Sequence, residues 1–256
     1  MQWYESILTG LVQGITEFLP VSSSGHLWLV EQLILKQPVN MVLIVTLHLA
    51  SLFAVVIFLR NKLSVLLQSL YKPNHDPFYN RRLAWQLMSA TLITAGIGLM
   101  LKNLVQHQIN QTIIIISLLG TSLIVIVSSL VKTRTCQLSW PTIGLLGIVQ
   151  GLAVLPGVSR SGVTIGLLLL TGLSRKQAVD ISFLLSIPII SGSFLVFIPE
   201  LISTEFILSP GTLLIGILVT FTATWLTMHL LSRSLDKIWL LSGVWCLLLA
   251  GGLIFI

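Results

Sequence analysis

Six stretches of predominantly apolar residues, each long enough to cross a bilayer, dominate this chain. They lie near residues 39–59, 83–101, 112–131, 178–198, 210–231 and 237–256. A helix needs roughly 20 such residues to cross the ~30 Å hydrocarbon core of a membrane. Only 9% of the 256 residues are charged, against about 25% in soluble domains, which is too few to cover a water-facing surface. We therefore predict one all-α integral membrane domain over residues 1–256, with six transmembrane helices.

Two further apolar regions do not fit the pattern of a single span. Residues 6–36 are interrupted by "PVSSSGH", and residues 142–173 are interrupted by "PGVSRSG". Each interruption leaves two arms of about 10–14 residues, which are too short to cross a membrane. Short paired arms around a Gly/Pro/Ser break predict two re-entrant helix hairpins, each entering and leaving the membrane on one side.

The two interrupted regions also resemble each other. A shift of 137 residues places "GLVQGITEFLPVSSSG" (10–25) over "GIVQGLAVLPGVSRSG" (147–162), with eight identities in sixteen positions. This similarity predicts an internal repeat, with halves 1–137 and 138–256. Because three spans separate the hairpins and a re-entrant hairpin does not change sides, the second half must be inverted. Inverted-topology repeats typically bring their broken helices together near the bilayer midplane to form the site.

The basic residues predict which side of the membrane each loop faces. The 60–82 loop is rich in them, and cytoplasmic loops carry an excess of Lys and Arg. Following the spans from that loop places the next basic loops on the same side, with Lys132, Arg134, Arg175, Lys176, Arg233 and Lys237. The opposite side receives Glu5, Glu31, Lys36, Lys102, Glu200 and Glu205. Both termini are then external, and the net charge of +6 is interpreted as a topology signal, so no nucleic-acid partner is expected.

Two other residue types complete this prediction. Five aromatic residues fall near predicted span ends and are interpreted as interfacial anchors: Trp3, Tyr4, Trp28, Trp140 and Trp239. Cys136 and Cys246 are far apart in the chain, so neither a disulfide framework nor a metal cluster is predicted.

The first hairpin carries residues suited to acid–base chemistry. If its first arm is helical to Leu19, Gln13 and Glu17 share a face, because they are four residues apart. Pro20 would then end this arm. A second helix beginning near Gly25 would direct its backbone N–H groups and the positive end of its dipole at the midplane.

The second hairpin carries a guanidinium instead of a carboxylate. Val154 stands four residues after Gln150, where the first copy has its glutamate, whereas the turn supplies Ser159, Arg160, Ser161 and Thr164. Two helix N-termini, several hydroxyls and one planar guanidinium describe an anion site, which suits a phosphate or diphosphate.

Plainer readings of these residues exist. Serine and glycine in membrane helices often only permit close packing, and a structural ion pair is the alternative interpretation of Glu17 and Arg160. His26 is interpreted as a base, acid or nucleophile, or as a packing residue, and His48 as a packing residue. For Asp180 and Ser182, capping the second hairpin and solvation at the interface are both open.

The motifs "QGITEFLPVSSSGH" and "PGVSRSGVT" resemble those of the bacterial undecaprenyl-diphosphate phosphatase family, also called the bacitracin-resistance protein family. That family carries E/Q-x-x-x-E running into P-x-S-S-x-G-H, and a second motif P-G-x-S-R-S-x-x-T. The similarity extends to "LHLASLFAVVIFLR" (47–60) and "DISFLLSIP" (180–188). It implies hydrolysis of the lipid undecaprenyl diphosphate, a polyprenyl diphosphate, to the monophosphate, which recycles the carrier of cell-wall synthesis. It also implies a bacterial plasma-membrane location, a site facing the periplasm, an interdigitated inverted repeat, a divalent cation (Mg²⁺ or Ca²⁺) and, in many members, a homodimer.

By this resemblance the catalytic residues are Glu17, Ser23, His26 and Arg160, with Glu17 also a candidate metal ligand. The candidate substrate-binding residues are Gln13, Ser22, Ser24, Gly25, Gly157, Ser159, Ser161, Gly162 and Thr164. Many members have Glu where this chain has Gln13, which removes one carboxylate from any metal site, and Ser24 replaces a frequent Thr.

These residues leave open which group attacks the phosphorus and which group takes the proton. Ser23 is the preferred nucleophile, with His26 or Glu17 taking its proton, and attack by His26 or by water activated by Glu17 are the alternatives. The rival function is a lipid-phosphate flippase, because inverted repeats with broken helices are common in transporters. The nucleophile and base candidates favour the enzyme, since a carrier does not need them.

Overall fold

The computed structural model describes residues 2–36, 39–72, 76, 78–107, 110–132, 137–203 and 209–255. Every regular element in these ranges is helical, as predicted. The helices are α1 (Trp3–Thr16), α2 (Ser23–Leu29), a π-helical continuation (Val30–Leu35), α3 (Met41–Phe58), α4 (Arg60–Tyr71), α5 (Arg81–His107), α6 (Gln111–Ser129), α7 (Trp140–Leu152), α8 (Arg160–Leu170), α9 (Arg175–Ser203) and α10 (Pro210–Leu253). Arg134, Cys136 and Glu205, and the side chains of Lys102 and Glu200, lie outside the described residues.

Several of these helices are long and apolar enough to cross a membrane. Among the described residues, α5, α6, α9 and α10 qualify, and α3 with α4 adds a fifth candidate if this pair, bent by 75°, is counted as one span. Helix α10 contains both predicted spans 210–231 and most of 237–256, joined through Ser234, whose φ of −129° and ψ of 27° are not helical. At 1.5 Å per residue the two segments on either side of this break together contain about 66 Å of helix in their 44 residues, roughly twice the hydrocarbon thickness. The length and apolarity of these helices indicate that the chain is a membrane protein.

The two short helix pairs break at the same place relative to a proline. Helix α1 ends at Thr16 and α7 ends at Leu152, each four residues before a proline, Pro20 and Pro156. A proline ring clashes with the carbonyl four residues earlier and offers it no N–H, which favours a break there, although α9 continues through Pro188 and Pro199. The predicted extension of the first arm to Leu19 is therefore wrong, and residues 17–21 form a turn.

Each short pair packs against a long helix from the other half of the chain. A Cβ atom on Gly14 of α1 would lie 2.7 Å from the Thr220 carbonyl oxygen of α10, and one on Gly147 of α7 would lie 2.9 Å from the Ala90 carbonyl oxygen of α5. Two threonines also make equivalent contacts: Thr220 Oγ1 donates to the Gly10 carbonyl at 3.1 Å, and Thr94 Oγ1 donates to the Gly147 carbonyl at 3.0 Å. Small residues at these positions allow the backbones to approach closely.

Basic residues from three predicted loops lie on one side of the molecule. Lys62, Arg175, Lys176, Arg233 and Lys237 line a single cavity at the break of α10. They come from the loops that charge counting assigned to one side, so the structure brings these loops together as expected.

The aromatic residues agree with the predicted anchors in part. Trp3, Tyr4 and Trp140 are about half exposed. Trp239 is 1% exposed, and its Nε1–H donates to Ser128 Oγ at 3.0 Å. The prediction that Trp239 is an interfacial anchor is wrong, because its polar atom is satisfied inside the protein.

Candidate active site

The second helix of each pair begins with the same capping arrangement. Helix α2 begins after Ser22, whose Oγ accepts from Gly25 N at 3.2 Å, and α8 begins after Ser159, whose Oγ accepts from Gly162 N at 3.1 Å. Serine is among the favoured N-cap residues because its oxygen satisfies an unpaired N–H of the first turn. Ser22 holds a φ of +69°, a conformation that costs free energy for any residue with a side chain. The capping serines and glycines named in the sequence thus shape the two turns.

The two turns contact each other directly. Gly157 N donates to Ser24 Oγ at 3.1 Å, and Ser161 Oγ donates to the Leu19 carbonyl at 2.9 Å. Gly157 has a φ of +90°, and a Cβ there would lie 2.8 Å from the Ile114 carbonyl oxygen. Only glycine fits this position, since both the conformation and the space exclude a side chain.

Glu17 is the centre of the site because three side chains donate to its carboxylate. Arg160 Nη2 donates to Oε1 at 2.8 Å, while Ser23 Oγ and Gln13 Nε2 donate to Oε2 at 2.8 and 2.9 Å. The Glu17 side chain is only 7% exposed and that of Arg160 only 12%. The predicted meeting of the acid, the serine and the arginine is therefore found. A hydroxyl that donates to a carboxylate can act as a nucleophile with that carboxylate as its base.

Two polar atoms in this cluster have no partner among the described residues. Arg160 Nη1 and Gln13 Oε1 are buried and make no hydrogen bond. The guanidinium carbon of Arg160 lies 5.4 Å from the ring centre of Phe18, which holds the group over an aromatic face. An unsatisfied buried donor costs about 1–3 kcal/mol, so the site is ready to bind an acceptor such as a phosphate oxygen at Nη1.

His26 does not join this cluster. Its Nδ1 lies 2.8 Å from the Ser22 carbonyl oxygen, and its Nε2 lies 2.9 Å from Nε1 of Trp245 on α10. A carbonyl only accepts and an indole N–H only donates, so His26 is neutral with its proton on Nδ1. Neither Glu17 nor Ser23 is among its hydrogen-bond partners in the described part of the chain.

The sequence analysis missed two neighbours of the site. His48 Nε2 lies 3.7 Å from Glu17 Oε2, while His48 Nδ1 donates to the Ile44 carbonyl. A histidine in the middle of an apolar span is itself a sign of a functional contact, so the sequence did carry a signal for the contact of His48 with Glu17. Trp245, by contrast, lies in a run of apolar residues with nothing local that pointed to His26.

The hydroxyls of Thr164 and Ser182 fix the start of α8 through hydrogen bonds. Thr164 Oγ1 donates to the Arg160 carbonyl at 2.8 Å and lies 2.7 Å from Ser182 Oγ on α9. Ser182 therefore orients the second turn, which was one of its two predicted roles. Asp180 instead pairs with Lys62 and accepts from Tyr79 Oη at 3.0 Å.

The ligands for a divalent cation at this site are few. Within the described residues no group of three or more His, Cys, Asp or Glu side chains could hold a metal ion. Glu17 and the unpaired Gln13 Oε1 are oxygen ligands, which Mg²⁺ and Ca²⁺ prefer, and Mg²⁺ is commonly held by one carboxylate with substrate phosphates and waters. The residues fit a cation that arrives with a phosphorylated ligand, and they do not form a complete cage.

Comparison with known proteins identifies the family of this chain. The family model described as bacitracin resistance protein BacA matches residues 6–253. The chain is 37% identical to undecaprenyl-diphosphatase 1 of Shouchella clausii, over 88% of this chain and 86% of the relative. It is 32% identical to undecaprenyl-diphosphatase 1 of Pseudoalteromonas translucida over 99% of this chain and 98% of the relative. It is 34% identical to the undecaprenyl-diphosphatase of Chromohalobacter salexigens over 95% and 94%. With the match running through both hairpins and nearly every long helix, this chain belongs to the bacitracin resistance protein BacA family.

Proposed function

We propose that this protein hydrolyses undecaprenyl diphosphate to undecaprenyl phosphate and inorganic phosphate, which recycles the lipid carrier of peptidoglycan synthesis and confers bacitracin resistance. The relatives bear the name of this activity. The observation that carries the proposal is the unpaired Arg160 Nη1 beside the Ser23–Glu17 hydrogen bond. A flippase would use the anion-binding arginine, but it has no need for a nucleophile joined to a base.

The first step forms a phosphoserine. Ser23 Oγ attacks the terminal phosphorus, and Glu17 Oε2 takes the hydroxyl proton along the existing 2.8 Å hydrogen bond. The bond from this phosphorus to the bridging oxygen breaks, and the electron pair leaves with undecaprenyl phosphate. Arg160 Nη1 stabilises charge on the phosphoryl oxygens, which is the main source of catalysis in such reactions.

The second step releases phosphate. Water attacks the phosphoserine, both of its protons stay with the phosphate product, and Ser23 Oγ leaves with the bond's electron pair. Glu17 returns its proton to that oxygen, so the enzyme is regenerated. His26 lies outside this transfer, since its hydrogen bonds run to Ser22 and Trp245.

The serine step predicts a clear difference between two neighbouring hydroxyls. Ser23→Ala should lower phosphate release in detergent, where transport does not register, by at least about a hundredfold. It should also abolish trapping of radioactive phosphate on the enzyme from substrate labelled at its terminal phosphate. The control is Ser24→Ala, because Ser24 contacts Gly157 N and not Glu17, and this variant should keep the labelled intermediate. Near-normal turnover of Ser23→Ala together with loss in His26→Ala would contradict the serine scheme.

The proposed role of Arg160 predicts that a positive charge alone at this position does not support turnover. Arg160→Lys keeps a cation but loses the planar fork that reaches Glu17 and a phosphate oxygen at once. We expect a fall in kcat of roughly a hundredfold or more with a thermal unfolding temperature close to that of the parent. Arg60→Lys, at an exposed position at the start of α4, is the matched control and should be fully active. Normal turnover of Arg160→Lys would exclude the phosphate clamp.

We also propose that a divalent cation, Mg²⁺ or Ca²⁺, binds with the diphosphate. Glu17 and the unpaired Gln13 Oε1 would hold it, and when bound it would neutralise phosphate charge. Removing divalent cations with a chelator should stop turnover, and Gln13→Leu should raise the cation concentration needed for half-maximal rate. Full activity in chelator would rule out this cation.

The membrane arrangement that we propose has six spans and two re-entrant hairpins in an inverted repeat of residues 1–137 and 138–256. The site then faces the periplasm of the plasma membrane, and the basic loops are cytoplasmic. The equivalent glycine contacts of α1 and α7 and the great length of α10 support it. We also propose a homodimer, on the basis of the family resemblance alone. The mass of the purified protein in detergent would give the number of subunits.

Labelling of cysteines tests this arrangement. In a variant without Cys136 and Cys246, a membrane-impermeant thiol reagent added to spheroplasts should label Asn110→Cys and not Arg82→Cys, both at exposed positions. The reverse pattern would invert the proposed orientation.

A further inference from the structure

A second charged cavity lies apart from the candidate active site. It has a volume of about 650 Å³ and opens between the end of α3, the start of α4, the start of α9 and the break of α10 at Ser234. We propose that this cavity binds the phosphate headgroup of an anionic membrane lipid. It shares no residue with the Glu17 cluster, so the proposal does not rest on the phosphatase reaction.

The walls of the cavity carry more positive than negative charge. Two of its five cations are neutralised: Lys62 pairs with Asp180, and Arg175 pairs with Asp236. Asp180 is further fixed by the Tyr79 hydroxyl, and burial, followed by the charge of Asp180, raises the pKa of Tyr79 so that the phenol stays a donor.

Three cations remain without such a partner. Lys176, Arg233 and Lys237 make no ion pair with any residue in the described ranges, yet all three line this cavity. Positive-inside charge distribution explains basic loops, but it does not require three unpaired cations around one cavity.

The start of α9 adds to this positive potential. The helix begins at Arg175, Lys176 follows, and there is no acidic residue in its first turn. The N-terminal end of a helix carries a partial positive charge, so cations are unfavourable there and an anion is favourable. The first turn of this 29-residue helix and the unpaired cations thus both favour an anionic ligand.

The apolar part of the lining favours a lipid over free phosphate. Phe58, Val179, Leu231 and Leu235 line the same cavity as the cations. Val179, Leu231 and Leu235 are already buried in the core, whereas Phe58 remains partly exposed. The glycerol and first acyl carbons beneath a lipid headgroup would cover Phe58, which a free phosphate ion would not do. Basic pockets between membrane helices are known to bind anionic lipid headgroups on this principle.

A titration of the purified protein in detergent tests the proposal. The probes are short-chain phosphatidylglycerol, phosphatidylcholine of the same chain length, and inorganic phosphate, with binding followed by native mass spectrometry and by the rise in unfolding temperature. Phosphatidylglycerol should bind, and the double variant Arg233→Gln/Lys237→Gln should weaken its binding by about tenfold or more, because two charged contacts are lost.

The matched control removes the same charge elsewhere. Arg60→Gln/Lys132→Gln changes two exposed basic residues that do not line the cavity and should leave the affinity unchanged. Both double variants should retain phosphatase activity, which shows that they are folded.

Four results would each overturn the proposal. They are the absence of phosphatidylglycerol binding, equal binding of phosphatidylcholine, equal weakening by both double variants, and inorganic phosphate binding as tightly as the lipid. The last result would assign the cavity to a small anion.

Discussion

The rest of the site depends on the buried contact between Glu17 and Arg160. An isolated charge of either sign is costly within a membrane, and a buried pair recovers that free energy only when its geometry and remaining hydrogen bonds are good. The 2.8 Å contact joins the two hairpins, and the capping serines, the Gly157 turn and the Phe18 ring fix the backbone and the guanidinium around it. The pair thus links the two short helix pairs, together with the hydrogen bonds between their turns.

The asymmetry between the two hairpins follows from what each glutamine contacts. Gln13 donates to Glu17, while Gln150, which lies 137 residues later in the similar motif, donates to Thr94 on α5 at 3.1 Å. Each amide oxygen is buried and has no hydrogen-bond partner among the described residues, but only Gln13 donates to a carboxylate. The first turn therefore presents a carboxylate beside a hydroxyl, and the second presents a guanidinium.

Local chemistry explains which parts of this site could be predicted. The breaks, the capping serines and the facing of Glu17 by Arg160 follow from Pro, Gly, Ser and charge positions in the two motifs. The contacts of His48 and Trp245 depend on how long helices are rotated, and those helices are apolar on nearly every face, so their sequences carry little information about rotation. The break of α10 at Ser234 agrees with the predicted separation of two spans, because a short polar segment between two apolar runs is typical of such a break. Pro20 predicts a break in this arm but not its position at Thr16, because a helix can extend to the residue before a proline.

The separation of the central pair along the chain has a consequence for biosynthesis. Glu17 and Arg160 are 143 residues apart, and a ribosome adds roughly 5–20 residues per second. The carboxylate therefore leaves the ribosome some 7–30 s before its arginine exists. During that interval the nascent first hairpin has no guanidinium to neutralise it, so it must remain near the interface, keep its proton, or shelter in the insertion machinery until the second half of the protein is made.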